Sequence, residues 1–173
     1  INIRTAENNF AVIRRQGCTS VHLGGGEPFL QPDALAEILA VANNSGIHVE
    51  YVETNSSWFR DLDSACLILE KLAGLGLTTL LVSISPFHNE YIPFARVKGV
   101  IAACRKTGIN IFPWTSEFFG DLEAFDENRK YPLSEYCARF GEKYIEQLPG
   151  RYWISPGGRA LETFGGNGHR QPV

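Results

Sequence analysis

Short runs of β-branched and apolar residues alternate along this chain with segments whose apolar positions recur every three or four residues. Thr19 to Gly24 (TSVHLG) reads as a strand. Pro32, Asp33, Leu35, Ile38, Leu39 and Ala42 then open a helix: proline suits a first helical turn, and Gly46 ends the run. Ile47 to Glu53 (IHVEYVE) is the next strand, and Asp61 to Ala73 the next helix, with Leu62, Ala65, Leu69 and Leu72 on one face. Thr79 to Ser85 is the most apolar strand, so it is expected to be central and covered on both sides. Pro93 starts a helix carrying Val97, Val100, Ile101 and Cys104 and stopped by Gly108; Ile109 to Phe112 is a fourth strand.

Strand starts about one βα unit apart predict right-handed crossovers and an α/β fold with a parallel sheet. Barrel, part-closed barrel and open doubly wound sheet all satisfy that pattern. In each of them chemistry gathers at the carboxyl ends of the strands. After Trp114 the rhythm breaks into a polar, aromatic-rich loop over 115–133 with a short helical turn around Phe118 to Phe125. Ser134 to Leu148 reads as one helix ended by Pro149-Gly150, Arg151 to Ser155 as a fifth strand, and 157–173 as a turn and tail. The expected division is therefore a βα core over 1–156 followed by that tail.

Composition narrows the class. The chain has 173 residues, 44% of them hydrophobic, with 16 basic against 19 acidic side chains and a net charge of −3. That excludes a disordered chain and argues against nonspecific nucleic-acid binding, which needs clustered Lys and Arg. No apolar run is long enough to span a bilayer. Cys18, Cys66, Cys104 and Cys137 lie far apart, which favours buried free thiols in a reducing cytoplasm over disulfides or a metal site within the chain. There is no methionine, so Ile1 is not a translation start, and the expectation is a piece of a longer protein beginning inside a helix.

The first strand ends in Gly24-Gly25-Gly26-Glu27-Pro28. Three glycines turn the backbone sharply and let a ligand approach the main chain. Neither phosphate-binding glycine spacing is present, and Glu27 would repel a phosphate. The same turn suits a cation, because strand-end carbonyls and a carboxylate make a nest of acceptors for an ammonium. The plainer alternative is a strained turn whose Glu caps the next helix. Ser85-Pro86-Phe87-His88-Asn89-Glu90-Tyr91 follows the most apolar strand; His88 and Glu90 are its acid–base candidates, against the reading of a solvated loop with a helix cap. His22, alternating with Val21 and Leu23, reads as structural.

Val21 to Leu30 (VHLGGGEPFL) resembles the GGEP segment of radical S-adenosylmethionine enzymes, and the similarity in element order extends over about residues 6 to 113. The resemblance implies a partial (β/α)6 TIM-like barrel, truncated here at its first strand, in which Gly25, Gly26, Glu27 and Pro28 hold the amino group of S-adenosylmethionine. Thr54-Asn55 falls where the family's next strand ends, and Ser83 and Ser85 where polar contacts to the cofactor's ribose or carboxylate occur. It further implies a [4Fe-4S] cluster, reductive cleavage of the cofactor to a 5′-deoxyadenosyl radical that abstracts hydrogen from substrate, and a reducing partner such as flavodoxin or ferredoxin. The family's C-x3-C-x2-C cluster loop is absent from this chain, so its ligands are expected upstream of Ile1. Two other functions stay open on the residues. One is a barrel-derived binding module that has lost the cluster. The other is an iron-independent hydrolase or lyase using Glu27, His88 and Glu90.

Overall fold

The computed structural model describes residues 2–112 and 116–151. Four strands, β1 (Ser20–Leu23), β2 (His48–Thr54), β3 (Thr79–Val82) and β4 (Asn110–Phe112), form one sheet in the order β1-β2-β3-β4, with every neighbouring pair parallel. Between them run α1 (Ile3–Arg15), α2 (Pro32–Asn44), α3 (Leu62–Ala73), a single turn α4 (Pro86–Asn89) and α5 (Phe94–Thr107). The chain divides into two compact units, Ile1–Pro132 and Leu133–Val173. The expected boundary at 156–157 lies outside the described residues.

The helices form a row, α1 against α2, α2 against α3 and α3 against α5, with α2 also packed on β2 and α5 on β4. A doubly wound sheet reverses its strand order at a switch point. These four strands run in sequence order without one, so successive right-handed crossovers carry the helices to one side. The core lies between: Val52, Leu69, Leu72, Leu80, Val82, Val100 and Ala103 are fully buried. The prediction that the third strand is central holds, since β3 lies between β2 and β4 with Leu80, Leu81 and Val82 all buried.

Local signals set most boundaries. Asp61 caps α3 by accepting from the Ser64 N–H at 2.8 Å, and α5 ends at left-handed Gly108. Asn2 caps α1 through Thr5 N–H at 2.9 Å, so Asn2 stands at the start of this helix rather than inside it.

Other expectations need correction. The third strand stops at Val82 instead of Ser85, level with Thr54, the last residue of its neighbour β2. The expected helix over 134–148 is two, α7 (Leu133–Phe140) and α8 (Tyr144–Arg151), following α6 (Phe118–Glu123). They part at Gly141, whose φ is 109°. The Tyr136, Phe140 and Tyr144 rings stack across that break. Pro149 lies within α8 rather than ending it, and Arg151 is helical rather than the start of a strand; the rest of that proposed strand falls outside the described residues. Cys66 and Cys104 are buried free thiols, with burial pushing the Cys104 thiol up to about 12, whereas Cys18 is exposed and Cys137 half-buried. No helix among the described residues is long and apolar enough to cross a membrane.

Candidate functional site

Parallel strands bring their carboxyl ends to one edge of the sheet, and the glycine turn sits there after β1. Gly25 and Gly26 have φ of 87° and 61°, a left-handed pair that side chains resist, and nothing lies within 4 Å of where a Cβ on either would stand. The turn is thus bare backbone facing open space. It delivers Glu27 half-buried against the end of β2.

There the Glu27 carboxylate accepts from three donors. Phe29 N–H reaches Oε1 at 3.2 Å, the Thr54 hydroxyl reaches it at 3.0 Å, and Asn55 N–H reaches Oε2 at 2.6 Å. The Thr54 hydroxyl in turn accepts from Trp58 Nε1–H at 2.9 Å and Ser56 N–H at 3.1 Å, which fills its capacity. Trp58 stacks on Phe29 with ring centroids 4.8 Å apart, and Pro28–Leu30 forms a 3-10 turn capped by Glu27. The loop from Glu27 through Phe29 and Trp58 to Thr54 and back is closed. Glu27 thus caps this 3-10 turn rather than α2, whose N-cap Gln31 makes no side-chain capping hydrogen bond, and it adds a cross-strand latch.

Burial pushes the Glu27 carboxyl up, against the lowering effect of the Asn55, Phe29 and Thr54 hydrogen bonds. No Lys, Arg or His pairs with it among the described residues. Beside the latch, Asn55 Oδ1 accepts from Ser57 N–H at 2.9 Å, tightening the turn after β2. Ser56 follows at a φ of 67°, fully buried, its hydroxyl without a hydrogen-bond partner among the described residues.

Ser83 N–H donates to the Thr54 carbonyl at 2.9 Å, extending the β2–β3 ladder by one bond. Ser85 is buried and caps α4, and its Oγ lies 2.7 Å from His88 Nδ1. Burial pushes the His88 pKa down, which favours the neutral ring. Glu90, half-buried, follows α4 directly. The structure therefore joins Glu27 to Asn55 directly, places Ser83 on the same strand end, and turns His88 toward Ser85.

One group of residues escaped the sequence reading. β2 carries an extra residue between Val49 and Val52 relative to β1 between Val21 and Leu23. Glu50 and Tyr51 together stand opposite His22, and Val49 and Val52 both become buried. On the other face His22 stacks on Tyr51 (5.0 Å, 7°), and Tyr51 stacks on Phe112 (5.5 Å, 26°). Glu53 lies in the row Glu53–Leu81–Phe112, with its carboxylate 3.8 Å from His22 Nε2. That carboxylate rests on Gly24: a Cβ there would stand 2.6 Å from Oε2. Desolvation first, then Glu53 and Glu50, push the Tyr51 phenol up. The available signal was a strand carrying two acidic residues around a tyrosine, which strict alternation assigns to opposite faces.

Among the described residues no group of three or more His, Cys, Asp or Glu is placed to hold a metal ion. Trp114 and the turn and tail expected over 157–173 lie outside the described residues. No protein-family model, curated protein or solved structure matches the chain.

Proposed function

We propose that this chain is the core of a radical S-adenosylmethionine enzyme, a partial (β/α)6 barrel whose cluster ligands lie outside it. One observation carries the reading: Glu27 is a desolvated carboxylate with no basic partner among the described residues, held rigidly beside a bare glycine turn. A carboxylate offers about four lone-pair directions, and three protein donors leave room for a further one. An ammonium is the donor whose charge offsets the cost of burying Glu27, and the cofactor's methionine end carries one. When bound with a [4Fe-4S] cluster, the cofactor supplies a 5′-deoxyadenosyl radical for hydrogen abstraction.

The chain's own residues bind and orient. Gly25 and Gly26 let main-chain carbonyls approach the ammonium, and Pro28 fixes the first position of the capped turn. Thr54 and Asn55 aim the Glu27 carboxylate, with the Trp58 indole anchoring Thr54 from behind. Ser83 and Ser85 are assigned to the ribose or carboxylate of the same cofactor, His88 and Glu90 to the substrate side. A reducing partner such as flavodoxin or ferredoxin and a cytoplasmic setting complete the reading; the free buried thiols suit a reducing compartment.

Calorimetric titration of S-adenosylmethionine tests it. Glu27→Gln should weaken binding at least tenfold while the thermal unfolding transition stays cooperative. Equal affinity in the variant removes Glu27 from the site and the reading with it.

A further inference from the structure

The hydrogen bonds around Glu27 converge on the Thr54 hydroxyl, which has one proton to donate and two lone pairs with which to accept. Trp58 Nε1–H takes one lone pair at 2.9 Å and Ser56 N–H the other at 3.1 Å, and both groups only donate. The Thr54 proton is therefore left facing Glu27, with Oγ1 3.0 Å from Oε1 and 3.2 Å from Oε2. The further partners of Glu27, Phe29 N–H and Asn55 N–H, are backbone amides that also only donate. Each of these groups presents a proton to the carboxylate, and a protonated Glu27 finds no acceptor among them.

Two features hold this direction in place. Ser56 aims its N–H at Thr54 from a φ of 67°, a conformation that side chains resist, and its buried hydroxyl gains no hydrogen-bond partner among the described residues. Trp58 is buried and stacked on Phe29, which fixes where its indole N–H points. The charged and titratable side chains of β2 and α2, the elements packed on the capped turn, lie elsewhere. On β2, His48 is exposed, Glu50 accepts from the Ser20 hydroxyl, Tyr51 stacks on His22, and Glu53 lies over Gly24. On α2, Asp33 pairs with Lys71 at 2.6 Å and Glu37 is exposed.

We propose that Trp58 is a positioning residue that acts through Thr54: by filling the hydroxyl's second lone pair it fixes the proton on Glu27 and holds that side chain as a carboxylate that can only accept. Burial favours the neutral acid at Glu27, so the fixed donor opposes a change that the surroundings promote. Resting on the function proposed above, the device preserves the charge that pairs with the ligand's ammonium.

The test follows the Glu27 side-chain carboxyl by carbon nuclear magnetic resonance through an acid titration of the full chain, with no cofactor present. Trp58→Phe opens one Thr54 lone pair, which then accepts the proton of a neutral Glu27, and the midpoint should rise by roughly half a pH unit or more. If the indole only packs, the smaller ring admits water and the midpoint should hold or fall. Benzothienylalanine placed at Trp58 keeps the ring shape and the stack but carries sulfur in place of N–H. It should also raise the midpoint, and it decides the matter where Trp58→Phe does not fold. Leu72→Ala empties a fully buried site in the last turn of α3, beside the chain leading into β3, and should lower stability while leaving the midpoint unchanged. A midpoint that holds or falls in either folded Trp58 variant, or that rises equally in Leu72→Ala, overturns the inference. Because S-adenosylmethionine binding is read separately through Glu27→Gln, failure here leaves the proposed function standing, and failure there leaves the charge state of Glu27 fixed but without that ligand.

Discussion

The two faces of the sheet are built from the same strands, yet they solve different problems. On the helix side Val52, Leu80 and Val82 are fully buried, and the polar exception there, Thr54, spends its hydroxyl on three partners. On the other side Tyr51 and Glu53 are half-buried, the carboxylate lacks a hydrogen-bond donor among the described residues, and Phe112 is 40% exposed. The first face stabilises the fold by removing apolar surface from water and leaving few polar groups unsatisfied. The second leaves Tyr51, Glu53 and Phe112 partly exposed to solvent. Glu27 stands between these cases, satisfied by hydrogen bonds but not by charge.

Truncation on the covered face should have the largest effect. Leu80→Ala empties a site with no exposure and should cost about 2–5 kcal/mol in denaturant unfolding. A loss under about 1 kcal/mol would mean that β3 is not the centre of the core. Thr54→Val comes next. It keeps the shape but strands the Trp58 indole N–H and one Glu27 acceptor, and a buried group left unpaired costs about 1–3 kcal/mol. Tryptophan fluorescence should report a changed Trp58 environment in the same variant.

The pH dependence of His88 is a smaller effect with a fixed sign. Burial lowers its folded pKa from the ordinary 6.5, so the unfolded chain takes up a proton more readily than the folded one. Its contribution is therefore held above pH 6.5 and lost as pH falls through that value toward the lowered one. The stability difference between wild type and His88→Gln should narrow on acidification over that range; a difference independent of pH would mean the ring is not desolvated. The smallest change is expected on the open face. Tyr51→Phe and Glu53→Gln should each move stability by no more than about 0.5 kcal/mol, because substitutions at partly exposed positions without committed partners have small effects. A large loss at Glu53 would make it part of the scaffold and erase the contrast between the faces.

How much of this was legible varies by element. That β2 is a strand and α3 a helix could be read because β-branched runs and a 3.6-residue apolar period are written in neighbouring residues, and the helix start at Asp61 and the stop at Gly108 are local chemistry. The end of β3 could not be read, since a strand stops where its pairing does, and the partner of Val82 is Thr54, the last residue of β2 and 28 residues earlier in the chain. Nor could the parting of α7 from α8, where Gly141 adopts a conformation that its sequence neighbours permit but do not demand. At the site, the bare glycine turn and its acidic residue stood out. That Glu27 reaches Thr54 and Asn55, 27 and 28 residues away, did not.

By itself, then, the sequence determined a parallel α/β chain and a glycine turn ending in a carboxylate at the carboxyl end of a strand, because hydrophobic periodicity and turn chemistry act over a few residues. Tertiary structure decided which carboxylate faces what. A single extra residue in β2 sets Glu50 and Tyr51 together against His22 and returns Val52 to the core, a choice made by strand pairing. Packing against β2 commits Glu27 to the latch, while Gly24 leaves Glu53 room at the open face. Two glutamates of identical chemistry acquire different environments because desolvation and hydrogen bonding belong to the fold and not to the residue.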